Sequence, residues 1–166
     1  MIRTEYIVAG GIFLAILLMP KRAVSSPFVP SFCPIDPAND AGTTHFQLSE
    51  FHSKDGVLVP VPVRGNIKKL MDELEIIRSF FGDRPIKINS GYRSPSHNLS
   101  QGGEEDSLHQ CGMAADIVIP GIHPDHVADG ILDLINGGFI INGGVGRYNG
   151  HTHYDIGPPR RWDKRS

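Results

Sequence analysis

The stretch Ser107-Leu108-His109-Gln110-Cys111-Gly112-Met113-Ala114-Ala115-Asp116, read with His151-Thr152-His153-Tyr154-Asp155, offers two imidazoles and a carboxylate that can converge on one cation. A zinc ion held by three protein groups keeps a fourth position for water, which makes such a site hydrolytic rather than structural. Gly91-Tyr92-Arg93 adds a fixed cation upstream. His151, His153 and Asp155 alternate, and alternate residues of a strand share a face, so all three can address one cleft. His109 and Asp116 need a bend between them to meet. Gly112 permits that bend, and Ala114 and Ala115 leave the approach uncrowded. The spacing therefore points to an enzyme before it points to a fold.

The elements that would position these groups can be read from periodicity. Asn66 to Phe81 is a helix, with Ile67, Leu70, Met71, Leu74, Ile77, Phe80 and Phe81 recurring at steps of three and four, and Gly82 stops it. Pro124 to Ile135 is a second helix, with Val127, Ile131, Leu134 and Ile135 as its apolar face. Pro85–Asn89, Met113–Ile119 and Thr152–Ile156 read as strands. Phe139–Ile141 and Gly144–Tyr148 read as strand pieces around an Asn142-Gly143 turn. Phe46–Phe51 is a short element that packs its aromatics on the core, Asp55-Gly56 is a turn, and Ser94–Asp106 is a polar loop. The order predicts an α+β domain with a small, mostly antiparallel sheet flanked by helices.

Three motifs carry a resemblance to a known family. Ser90-Gly91-Tyr92-Arg93-Ser94, then Ser107-x-His109-x-x-Gly112-x-Ala114-x-Asp116, then Gly144-Val145-Gly146-x-Tyr148 followed by His153-x-Asp155, resemble the zinc D-alanyl-D-alanine carboxypeptidase family of murein peptidases, in particular its short single-domain phage and bacterial versions. The likeness runs from about His45 to the C-terminal region. It implies one zinc ion per domain, bound by His109, Asp116 and His153. It implies that Arg93 helps to hold substrate and polarise the scissile carbonyl, and that Ser107 bonds substrate. Tyr148 is expected to line the cleft. The implied substrates are peptidoglycan peptides containing D-amino acids, and the implied role is cell-wall degradation, as in phage lysis. Several relatives place a carboxylate base three residues before the last histidine ligand, where this chain has Gly150. Other branches place a histidine two residues before the ligand, which matches His151. His151 is thus the first candidate for the general base. Asp155 is second, with support of a ligand as its alternative role, and the run Glu104-Glu105-Asp106 is third. The competing reading is a non-catalytic zinc-containing cell-wall-binding or structural module of the same fold.

Composition bounds the rest. The chain has 166 residues and a net charge of -2, which gives no electrostatic case for nucleic acid. The expected state is a monomer. Residues 1–25 read as a signal peptide or membrane anchor: Tyr6–Pro20 is uncharged, shorter than the roughly 20 apolar residues of a span, and is followed by Lys21-Arg22. An exported or membrane-anchored protein acting at the cell envelope is expected. Residues 26–44 read as a linker, dispensable up to about Asp36, and residues 45–166 as the zinc peptidase domain. For Cys33 and Cys111, packing is preferred to pairing or ligation.

Overall fold

A computed structural model describes residues 29–37 and 42–165; the targeting segment read at residues 1–25 lies outside them. The core is built on one long helix, α1 (Arg64–Phe80). Its Ile67, Leu70, Met71, Leu74 and Ile77 are all fully buried, as the periodicity requires. A 3₁₀ turn, Leu48–Phe51, sets Phe51 beside Phe46, ring edge to face at 6.3 Å, in the same core. The α3 helix (Pro124–Asn136) buries Val127, Ile131, Leu134 and Ile135, the residues its pattern singled out.

Five strands form one sheet: β1 (Lys87–Ser90), β2 (Ala114–Val118), β3 (Gly144–Arg147), β4 (Thr152–Asp155) and β5 (Arg160–Asp163). Their order across the sheet is β1-β2-β4-β3-β5. All neighbours are antiparallel except β3 and β5, which are parallel. The domain is α+β with a mostly antiparallel sheet, as expected.

Several local expectations are corrected. The supposed polar loop after Arg93 contains a short helix, α2 (Pro95–Ser100). Ser94 caps it by accepting from His97 N–H at 3.1 Å, and Pro95 takes the first helical position, where a missing N–H costs nothing. Phe139–Ile141 is not a strand, so Asn142-Gly143 joins no hairpin. Instead Ile141 N–H donates to Glu73 Oε2 at 2.7 Å, which ties the loop to α1. The last strand is β5, not β4. It follows directly after Pro158-Pro159, beyond the last strand read from the sequence.

The largest correction concerns the cysteines. Cys33 and Cys111 form a disulfide across 78 residues of sequence, so pairing prevails over simple packing. The segment around Cys33, read as linker, lies against the domain. Asp36 N–H donates to Pro62 O at 2.7 Å, and Asp36 O accepts from Gly65 N–H at 2.8 Å. Buried Asn66 donates from its side-chain amide to both Pro34 O and Cys111 O, each at 2.9 Å. One amide thus bridges the two cysteine-bearing segments. Among the described residues, no helix is long and apolar enough to cross a membrane.

Candidate metal centre and its cleft

The register of the sheet builds the site. Asp116 of β2 lies directly opposite His153 of β4. His153 is opposite Gly146 of β3, and Gly146 is opposite Trp162 of β5. Ser90 of β1 pairs with Asp116 on the other side. One row therefore crosses all five strands: Ser90, Asp116, His153, Gly146, Trp162. Cross-strand neighbours have Cβ atoms about 5 Å apart, close enough for two ligand side chains to meet at one ion.

His109 joins from outside the sheet. It sits in the 3₁₀ turn Leu108–Cys111, which ends at Gly112 in the left-handed region at φ 66°. A residue with a Cβ is strained there. Besides that, a Cβ on Gly112 would lie 2.9 Å from Ile67 Cγ1. This turn supplies the bend between His109 and Asp116 that the spacing demanded.

The three groups converge as the sequence predicted. His109 Nε2 is 3.3 Å from His153 Nδ1 and 3.3 Å from Asp116 Oδ1, and His153 Nδ1 is 2.9 Å from Asp116 Oδ1. All three residues are buried. The outer ring nitrogens show why these atoms suit a cation. His109 Nδ1 is 2.7 Å from Gly91 O, a carbonyl that can only accept, so Nδ1 carries the proton. His153 Nε2 is 3.2 Å from Asp155 Oδ2, so the proton on that ring is drawn to Nε2. That leaves two imidazole lone pairs and a carboxylate oxygen aimed at one point. Three acceptors held this close repel each other unless a positive charge lies between them. Two nitrogens and one oxygen are the donor set zinc accepts in sites with an open position.

The charges agree with this. Burial opposes the Asp116 anion, but His109 and His153 more than offset it and hold the carboxyl far below the ordinary range. Burial lowers the His109 pKa, and nearby Asp116 counters it only in part, which favours the neutral ligand form. Burial also works against the His153 cation, yet the Asp116 and Asp155 carboxylates on either side of the ring raise its pKa, so that without a metal a second proton on Nδ1 supplies the positive charge between His153 and Asp116. Asp155 is fully buried and burial raises its pKa, but His153 and the Gly144 and Gly157 N–H groups bring it down to about 2. Asp155 is therefore an ionised brace behind His153.

Arg93 is braced too. Its Nε donates to Ser90 Oγ at 2.8 Å, one Nη donates to Asp116 Oδ2, and its backbone N–H donates to His109 O at 3.1 Å. His151 Nε2 is 3.7 Å from Asp116 Oδ1, and its ring stacks on Tyr148 with centroids 4.3 Å apart. Burial lowers the His151 pKa. A cleft of about 500 Å³ opens over the centre. Arg93, Ser107, His109, Asp116, Tyr148, His151 and His153 all line it, together with Glu104 and Asp106. Of the other base candidates read from the sequence, Asp155 lies behind His153 and Glu105 is not among the lining residues.

Among the cleft residues that escaped the sequence reading are the β5 side chains Arg160 and Trp162, with Lys164 just after them. Trp162 approaches because Gly146 has no side chain; a Cβ there would sit 2.4 Å from the indole. The indole reaches His153, centroids 5.0 Å apart, and its Nε1–H donates to Tyr148 Oη at 3.0 Å. Two residues along the strands, Gly144 pairs with Arg160, whose guanidinium donates to Asp155 Oδ2 at 2.9 Å. Gly146 thus leaves room for Trp162, and Gly144 leaves room for the Asp155 carboxylate that Arg160 holds. The alternation Arg160-x-Trp162-x-Lys164 was the available signal.

Known proteins are similar to this chain in sequence. The chain is 30% identical over 131 residues to the zinc D-Ala-D-Ala carboxypeptidase of Streptomyces albus G, covering 76% of this chain and 50% of that protein. It is 34% identical over 101 residues to the peptidoglycan L,D-endopeptidase MepK of Escherichia coli K12, covering 56% and 52%. The chain spans about half the length of these curated relatives. The family described as Peptidase M15 matches residues 44–155, which hold the three converging side chains, Arg93 and His151, and the chain belongs to that family.

Proposed function

We propose that this protein is a zinc-dependent peptidase that hydrolyses peptide stems or cross-links of peptidoglycan. The observation that carries this reading is the convergence of three lone-pair donors, each braced from behind, at the floor of an open cleft. His109, Asp116 and His153 would hold the metal. Bound there, zinc supplies a Lewis acid and brings the acidity of a water toward neutral pH. His151, neutral and half-buried beside Asp116, takes the proton of the attacking water and returns it to the leaving amine. Arg93 is held by Ser90 and Asp116 at the cleft wall, where its charge stabilises the oxygen that becomes negative. Ser107 and Tyr148 line the cleft and hold the peptide. The non-catalytic alternative gains no support from this geometry, since a structural site has no need of an open cleft, a fixed cation and a neutral imidazole beside its ligands.

The names of the relatives support the substrate class and action at the cell wall. The apolar run before Pro20 fits export to, or anchoring at, the envelope. One chain supplies the whole site, which fits a monomer. The test is incubation of the zinc-loaded protein with purified peptidoglycan, with released termini identified by mass spectrometry. New amino termini that vanish in His153→Ala support the reading. Intact peptidoglycan with a fully metallated protein rejects it.

A further inference from the structure

Strand β5 presents a cation, an aromatic ring and a second cation in alternation: Arg160, Trp162 and Lys164 all line the cleft. The intervening residues turn elsewhere. Arg161 donates to Gly143 O and to Asn142 Oδ1, and Asp163 pairs with Arg165. The triplet is pre-set. The Trp162 indole is pinned by Tyr148 and by contact with His153. The Arg160 guanidinium lies 5.6 Å from the indole centroid and gives one bond to Asp155. Only part of its five-donor fork is used there. Among the described residues, Lys164 forms no ion pair, and both cationic side chains are exposed. The cleft's third cation, Arg93, is committed to Asp116 and Ser90. Two exposed cations flanking a fixed apolar ring are suited to an anionic group carried on a short hydrocarbon stem.

We propose that Arg160, Trp162 and Lys164 form a specificity subsite that binds a carboxylate of the substrate peptide. The inference rests on the peptidase reading for the identity of the ligand, but not for the existence of the subsite. A stem peptide offers two sources for this chemistry, its C-terminal carboxylate and the α-carboxylate of its γ-linked D-glutamate. Arg160 and Lys164 supply charge-assisted bonds that an amide cannot match, and Trp162 covers the adjoining methylene or methyl groups. The three are specificity residues, since none has a role assigned at the reacting atoms.

Trp162 is the chain's single tryptophan, so its fluorescence reports on this face alone. The zinc-loaded full chain is mixed with L-Ala-γ-D-Glu-L-Lys-D-Ala-D-Ala in stopped flow, so that binding is read before turnover. Two further peptides carry an amide at one or the other carboxylate. The expected result is a fluorescence change on binding and a loss of affinity of roughly ten- to a hundredfold on one of the two amidations. That amidation identifies the source. Lys164→Gln should weaken the free acid and become indifferent to the same amidation, with zinc content unchanged. Arg160→Lys should retain part of the discrimination. Equal affinity for all three peptides, discrimination unchanged in Lys164→Gln, or no fluorescence response overturns the proposal. Discriminating binding without any cleavage upholds the subsite and removes the peptidase reading instead.

Discussion

Breaking the Cys33–Cys111 bond should cost this domain a large part of its stability. The bond joins residues 78 positions apart. In the chain-entropy treatment, closing a loop of that size removes about 15 cal/mol/K from the unfolded state, or about 4.5 kcal/mol at 25 °C. Loss of a native disulfide typically costs about 2–5 kcal/mol, so a loss of about 3–4 kcal/mol is the working figure. Unfolding entropy near 2.1 cal/mol/K per residue over roughly 130 ordered residues gives about 0.27 kcal/mol per degree. The melting temperature should therefore fall by about 10–15 °C. The assay is a thermal melt by circular dichroism of the oxidised protein, of the same protein after reduction, and of Cys33→Ala. Reduction leaves all side chains in place, and Cys33→Ala tests the same bond by a different route. Oxidised and reduced melts that agree within about 2 °C would refute both the loop-closure figure and the attachment of the arm to the domain.

Four further outcomes are expected. His153→Ala should lose zinc under dialysis that leaves the wild type loaded, as measured by metal analysis; full retention removes it from the ligand set. Arg93→Lys keeps the charge but cannot span Ser90 Oγ and Asp116 Oδ2 as the planar guanidinium does, so zinc affinity or kcat/KM should fall about 10–100-fold; wild-type values in both measurements contradict this. His151→Ala should keep its zinc while turnover falls by roughly 10²–10⁴, and near-normal turnover would transfer the proton-carrying role to Glu104 or Asp106, the other acids of the cleft. Asn66→Ala removes the donor to the buried Cys111 O and to the more exposed Pro34 O, and should cost about 1–3 kcal/mol in denaturant melts, with an unchanged midpoint ruling out the bridging role.

The parts of this molecule that were legible in the sequence are those in which one local rule decides. The faces of α1 and α3 follow from apolar spacing, because a helix must bury one stripe. His109, Asp116 and His153 were found because their spacing already contains the bend and the strand alternation that bring them together. What escaped depends on partners distant in sequence. Nothing local distinguishes a packed Cys33 from a bonded one, since pairing is set by where the arm lies against Asn66 and Cys111. The α2 helix escaped for the opposite reason: Ser94-Pro95 is a local start signal, but it lay inside a stretch judged by its polarity.

The case of β5 shows how a strand can be functional without announcing itself. Its burial pattern is exposed except at Trp162, so no apolar alternation marks it. Its place depends on what is missing from β3. Gly144 and Gly146 carry no side chains; the Asp155 carboxylate, which accepts from Arg160, fills the space at Gly144, and Trp162 fills it at Gly146. Either glycine, read alone, is a small residue in a short strand. Together, two apart, they leave room for the Asp155 carboxylate and for the indole that meets His153. Arg160 and Trp162 therefore reach Asp155 and His153 in turn. They also face the cleft where a peptide would lie. Changing Gly146 to alanine should therefore displace Trp162 from His153, and changing Gly144 to alanine should displace the Asp155 carboxylate behind His153, although neither glycine has a side chain with which to touch the candidate metal centre.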